Sequence, residues 1–192
     1  MATLEKTFIP YGAYWSSPFC RWQGSLGQVN SLELAADTAK RFLEQRQIQP
    51  ASFDSLVLGF TVPQKHSFYG APWVAAMLGA EGITGPIVSQ ACATSVRVLL
   101  TAAAELETGA TACTLGVTCD RTSNGPHIVY PDPGGIGGKV DSEEWVWDNF
   151  NKDPHAGSAM IQTGENVARE TGIAHPSSKA SANKPDSRPS GL

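Results

Sequence analysis

The chain has 192 residues, 41% of them hydrophobic and 17% charged, with a formal net charge of −4. That is enough apolar material for one domain, or one and part of a second, and it excludes global disorder. The mild acidity, with no basic-aromatic cluster, gives no electrostatic case for nucleic acid.

The opening "MATLEKTFIPYGAYW" lacks a basic region followed by an apolar run, so no signal peptide is expected. No run of about 18 apolar residues occurs, so no membrane span is expected. Cys20, Cys92, Cys113 and Cys119 form no CxxC pair and no zinc spacing. A reducing, cytoplasmic setting is the default.

Residues 7–11 begin extended, and "WSSPFCRWQGSLG" reads as a loop. "NSLELAADTAKRFLEQRQI" predicts an amphipathic helix. Asn30 is its cap, Glu33 completes a capping-box pattern, and Leu32, Ala35, Ala36, Ala39, Phe42 and Leu43 form the buried stripe. "DSLVLGF" is a near-continuous apolar run, the pattern of a strand buried on both faces. Pro72 fits the first turn of a second helix, "PWVAAML", which Gly79 ends. "PIVSQ" is the next strand. A helix follows Cys92 and closes at Gly109, and "TACTLGVT" is a further strand. Strands alternating with helices over short connections predict an α/β fold with a parallel-rich sheet covered on both faces.

Beyond residue 120 the pattern loosens. "PDPGGIGGKVDSEEWVWDNFNKDPHAGSAM" mixes turn residues, acids and tryptophans without a clear period. "GGIGG" at 134–138 follows Pro-Asp-Pro rather than a strand and opens no helix, so a flexible turn is the better reading than a phosphate loop. "DSEEWVWDNF" reads as an amphipathic segment with Trp145, Val146 and Phe150 packed down. "SAMIQTGENVARETGI" returns to helical spacing, and "AHPSSKASANKPDSRPSGL" offers almost nothing to bury and is expected to be disordered. The expected domains are therefore a core over 1–120, a looser region over 121–174 and a tail over 175–192.

The chemistry concentrates at "IVSQACATSVRVLLTAAAELETG", where a thiol stands at a strand-to-helix junction. A helix N-terminus offers unpaired N–H groups and the positive end of the macrodipole, which favour a thiolate. The same N–H groups can receive an oxyanion formed on an attacked carbonyl. The helix is nearly free of charge until Glu105, apart from Arg97, so it is expected to lie inside the protein, with Arg97 reaching solvent, an acid or an exposed strip. Against this stands the ordinary reading of a free cysteine as a small buried hydrophobe, which comes first when the residue is taken alone. That reading is kept for Cys20, Cys113 and Cys119.

In its order of motifs the chain resembles the thiolases, the family of 3-ketoacyl-CoA thiolases and acetyl-CoA acetyltransferases, from about Thr7 to about Ile173. "SQACATS" stands where that family has an Asn-x-x-Cys-x-Ser-Gly motif, with Cys92 at the nucleophile. "VTCDRTSNGP" stands at a Gly-Gly-x-Glu-Ser-Met-Ser-x-x-Pro motif, keeping Ser123 and Pro126, with Asp120 for the acid. "AMIQTGENVA" keeps Met160, Thr163, Glu165 and Asn166 of a His-Met-Gly-x-Thr-Ala-Glu-Asn pattern, with Ala159 in place of the histidine. The order and spacing of the three reverse the reading of Cys92 in favour of a nucleophile position.

The resemblance implies two similar α/β halves, each with a mixed five-stranded sheet and helices on both faces. This chain would be the N-terminal half with the start of an inserted, CoA-holding loop domain over 121–174. It implies acyl transfer from an acyl-CoA thioester through Cys92, with Met160 lining the pantetheine channel and no metal or prosthetic group.

It also implies a histidine in Gly-His-Pro and a second cysteine in Cys-x-Gly-Gly, both in the second half and both lacking here. His175-Pro176 has no preceding glycine and comes too early. Without them little activity is expected from the chain alone, and association with itself or with a partner supplying the second half is expected from the apolar surface left uncovered. A frameshifted or truncated gene would explain the abrupt Ser/Pro-rich end. The alternatives are a non-catalytic remnant that binds CoA or a partner subunit, and a ketosynthase-type condensing enzyme, against which the Glu-Asn segment near residue 165 argues.

Overall fold

The computed structural model describes residues 4–173, which fall into two compact units divided between Val146 and Trp147. The Ser/Pro-rich tail, its expected disorder and His175 lie outside the described residues.

The first unit is organised around a short parallel sheet. Helix α1 spans Ser31–Gln45 and starts where Asn30 accepts a side-chain hydrogen bond from the Leu32 N–H, as its capping position predicts. Its stripe of Leu32, Ala35, Ala36, Ala39 and Leu43 is buried. Phe42 lies at the edge, stacked on Trp15 at 4.8 Å. Strand β1, Ser55–Gly59, is buried at all five positions because it is the central strand. Helix α2, Ala71–Leu78, carries Pro72 in its first turn, where no N–H is needed, and ends at Gly79 with φ 81°. Strand β2 is only Ile87–Val88. Helix α3, Thr94–Thr108, ends at Gly109 with φ 74°. Strand β3 is Thr114–Thr118.

The strand order is β2-β1-β3, all parallel, with Gly59 opposite Val88 on one side and Thr118 on the other. The two crossovers run in opposite directions across the sheet, and crossovers of the same hand must then place their helices on opposite faces. Alternation along the strands shows this. Leu56, Leu58, Leu115 and Val117 point into one core with Leu32, Ala36, Val74 and Leu78 of α1 and α2. The intervening residues face α3: Val98 lies against Gly59 and Gly116, and the Ser55 hydroxyl donates to the Glu105 carboxylate at 3.0 Å. Leu56, Leu58 and Val74 are wholly buried, and each fully buried aliphatic side chain stabilises the fold by roughly 1.5–3 kcal/mol.

Two carboxylates fasten the periphery. Glu107 accepts the N–H groups of Lys6 and Thr7 and the Thr7 hydroxyl, at 2.9, 2.9 and 2.8 Å, tying the N-terminal segment to α3. The Thr7 hydroxyl and then the Lys6 N–H hold the Glu107 carboxyl below its ordinary range. Asp54 accepts from Ala112 and Cys113 ahead of β3.

The remaining strands form a separate antiparallel pair, β4 (His127–Pro131) with β5 (Val140–Glu144). The class is the α/β architecture expected, with helices on both sheet faces. Among the described residues the strands are distributed as a parallel sheet of three and this separate pair. The glycine-rich stretch at 134–138 is the hairpin loop, where Gly137 and Gly138 take φ 77° and 68° and Asp132 accepts from Gly134. It is the turn expected, since a left-handed backbone is what glycine supplies without strain.

In the second unit, α4 covers Trp147–Asn151 and α5 covers Met160–Thr171, closed by Gly172 with φ 69°. Asn166 accepts from Gln162 and Arg169 along α5.

One expectation fails. Helix α3 is not buried all round: it buries Thr94, Val98 and Ala103, while Val96, Leu99 and Leu100 stand more than half exposed. Small, uncharged residues gave it the composition of an interior helix, yet in this chain only one face finds a sheet to cover it. Arg97 lies on this exposed face, one of the places expected for it, and its Nε donates to Gln90 Oε1 at 2.6 Å.

Candidate active site

All three parallel strands end at the same edge, and the carboxyl ends of such strands are where α/β folds build sites. Three loops leave that edge, after Gly59, Val88 and Thr118.

The loop after β2 carries the thiol. Ala91–Ala93 form a single 3₁₀ turn, and α3 begins at Thr94. Cys92 is at the centre of that turn and is exposed. Ala91 has φ 44°, a left-handed conformation that a residue with a Cβ adopts only when its surroundings hold it. Ala93 donates to the Gln90 carbonyl at 2.9 Å, closing the turn. Ala93, before α3, offers no side-chain cap, and the Thr94 N–H donates to the Ala91 carbonyl, so the turn runs directly into the helix. Strand, strained turn and helix leave the Cys92 thiol accessible to solvent.

The loop after β3 is a structural hub. Asp120 accepts from the backbone N–H groups of Thr61 and Val62 at 3.0 and 2.7 Å, and from the Thr61 hydroxyl, which locks the loop after β1. Trp145 Nε1 donates to the Thr61 carbonyl at 2.8 Å. Ser123, buried, accepts from Gln23; Asn124 donates to Gly27; Arg121 donates to the Val29 and Asn124 carbonyls. The acid and serine singled out in the sequence are thus engaged in holding loops together.

Met160, the other candidate residue, opens α5 in the second unit and is partly exposed. Ala159, at the histidine position of the family pattern, precedes α5 and offers no side-chain cap. Among the described residues no group of His, Cys, Asp and Glu could hold a metal ion, and no helix is long and apolar enough to cross a membrane.

The other thiols divide. Cys20 and Cys113 are exposed, so neither is the small buried hydrophobe expected. Cys119 packs against the main core, and burial pushes its thiol up to about 12. A thiolate is the reactive form, so Cys119 should stay unlabelled by iodoacetamide at neutral pH while Cys20 and Cys92 react. Peptide mapping of the alkylated native chain reads this directly; labelling of Cys119 at the rate of Cys20 would show the core to be open.

What the sequence did not single out is the support of the Cys92 turn by Thr94 and Gln90. The only signal was their closeness to the cysteine in "SQACATS".

The family model for the N-terminal domain of thiolase matches residues 14–186. The chain belongs to the thiolase family. The match passes Ile173, where the resemblance read from motifs stops. No curated protein matches.

Solved thiolases share the fold of this thiolase-family chain. Acetyl-CoA acetyltransferase from Syntrophomonas wolfei superposes with a TM-score of 0.69 at 24% identity, over 82% of this chain and 40% of that one. Human mitochondrial 3-ketoacyl-CoA thiolase in complex with CoA gives 0.69 at 22%, over 82% and 41%. The Bacillus anthracis acetyl-CoA acetyltransferase gives 0.67 at 19%, over 80% and 39%. At these identities the likeness shows the fold. The chain spans about two fifths of the solved thiolases it matches.

Proposed function

We propose that this chain is the nucleophile-bearing part of a thiolase-type acyl-CoA C-acyltransferase. The observation that carries the reading is the exposed Cys92 in a strained turn opening α3, and the motif "SQACATS" is what aligns it with the family nucleophile. In the proposed step the Cys92 thiolate attacks the thioester carbonyl of an acyl-CoA. A carbon–sulfur bond forms to Cys92, the oxyanion is held by N–H groups at the helix start, and collapse expels CoA as its thiolate, leaving an acyl-enzyme. A second acyl-CoA, or CoA itself, then takes the acyl group, so condensation or cleavage follows from the same intermediate.

Residues 1–120 serve as the α/β core and 121–174 as part of the CoA-holding region, with Met160 along the pantetheine channel. No metal or prosthetic group takes part, and a cytoplasmic setting fits the free thiols. The base that activates the nucleophile and the acid for the second partner come from a second half, met by the exposed face of α3 (Val96, Leu99 and Leu100). By itself the chain forms the acyl-enzyme and turns over little. The second reading is a remnant that binds CoA or a partner and catalyses nothing.

Incubation with acetyl-CoA and with acetoacetyl-CoA, followed by intact-mass measurement of wild type and Cys92→Ala, tests the reading. One acyl adduct on wild type and none on the variant is the expected result. No adduct on either favours the remnant, and multiple turnover would overturn the account of the missing base.

A further inference from the structure

We propose that Thr94 is a positioning residue for Cys92, a latch that holds the nucleophile turn in its left-handed conformation, reinforced by Arg97. The proposal rests on the reading of Cys92 as the nucleophile, and it concerns how this chain keeps that turn in place.

Thr94 is the first residue of α3 and is 6% exposed. Its hydroxyl has two partners, both in the turn. It accepts the Gln90 N–H at 2.8 Å and donates to the Ala91 carbonyl at 2.8 Å. Those two groups flank the backbone of Ala91, the residue at φ 44°. The hydroxyl thus bridges both sides of the strained residue immediately before Cys92. Strain of this kind persists only where neighbours over-determine it.

Gln90 is gripped a second time from the same helical turn, by Arg97 Nε on its side-chain oxygen at 2.6 Å. The anchor itself is rigid. The Thr94 methyl lies so close to Gly59 that a Cβ there would stand 2.7 Å from it, so Thr94 is pinned against the end of the central strand. Packing fixes the threonine, and the threonine fixes the turn.

The two roles separate by substitution. Thr94→Val keeps the shape and the methyl and deletes the hydroxyl; Thr94→Ser keeps the hydroxyl and deletes the methyl. Two readouts on the full chain follow them: hydrogen exchange at the Ala93 amide, which closes the turn onto Gln90, and the rate of Cys92 acylation by acetyl-CoA. Iodoacetamide alkylation of Cys92, which needs only exposure, is the reference.

Thr94→Val is expected to speed Ala93 exchange and slow acylation by about tenfold, the effect of losing one or two net hydrogen bonds, with alkylation changed far less. Thr94→Ser is expected to stay within about threefold of wild type. The reverse ranking, valine like wild type and serine impaired, means packing alone and overturns the proposal. Should Thr94→Val unfold, shown by labelling of Cys119, then Thr94→Ala against Thr94→Ser decides. Both delete the methyl and only serine keeps the hydroxyl, so equal Ala93 exchange and acylation in the two would overturn the latch. If wild type is not acylated at all, the nucleophile reading falls. Faster Ala93 exchange in Thr94→Val would then still establish the latch, and unchanged exchange would remove it too.

Discussion

Gly85→Ala lowers the stability of the first unit by about 3 kcal/mol, at the upper end of the cost of overpacking. The segment before β2 is drawn tight against β1, because Leu56 donates to the Thr84 carbonyl and Leu58 to the Pro86 carbonyl, each at 3.0 Å. Gly85 lies between those two bonds. A Cβ at this position would run into the carbonyl of Leu56, at the carbon as well as the oxygen, and a backbone group cannot swing aside as the tip of a side chain can. The segment must shift, and both bonds to the central strand are strained with it. Against a total stability of about 5–15 kcal/mol for a domain, this is a large fraction. Urea denaturation followed by circular dichroism checks it, the expected sign being a lower midpoint at unchanged slope. Gly79→Ala is the contrast. Gly79 has nothing within 4 Å of a Cβ and only its φ of 81° to offend, so its cost should be about 1 kcal/mol. Equal effects at the two glycines would refute the steric account.

The second large effect concerns α3. Val96, Leu99 and Leu100 are spaced three and four residues apart, so they form one outward stripe, exposed by 56%, 52% and 51%. Covering each would contribute up to roughly 1.5–3 kcal/mol, and contiguous apolar stripes of this sort mark interfaces. On the proposed reading the purified chain associates through this face. The double variant Leu99→Glu, Leu100→Glu is then expected to sediment as a monomer while unfolding no earlier than wild type, since neither side chain contributes to the core. A wild-type chain that sediments as a compact monomer at tens of micromolar would refute the association.

Much of the fold was legible because local chemistry and tertiary demand agree there. Asn30 caps α1, Pro72 and Gly79 bracket α2, Gly109 closes α3, and the apolar run at 55–59 is the strand buried on both sides. The hairpin of β4 and β5 was not legible. It is exposed along most of both strands, so nothing imposes an in-out alternation on residues 127–144. Helix α3 misled for a related reason: absence of charge says that a surface is not designed for water, but not whether this chain supplies the cover. Cys113 misled because it lies just ahead of β3, which begins at Thr114, so the sheet does not bury it. The location of Cys92 could be read from the junction of strand and helix. The conformation of its turn could not, because the left-handed Ala91 carries no glycine to announce it.

Gly59 links two properties that are commonly treated as separate. A Cβ there would stand 2.5 Å from Val98 and 2.7 Å from Thr94. Any side chain at residue 59 would therefore push on the helix that bears Thr94 and on the cysteine turn in one movement. Variation at this strand end cannot adjust robustness and reactivity independently, and lineages that enlarge residue 59 would have to shrink residue 94 or 98 in compensation.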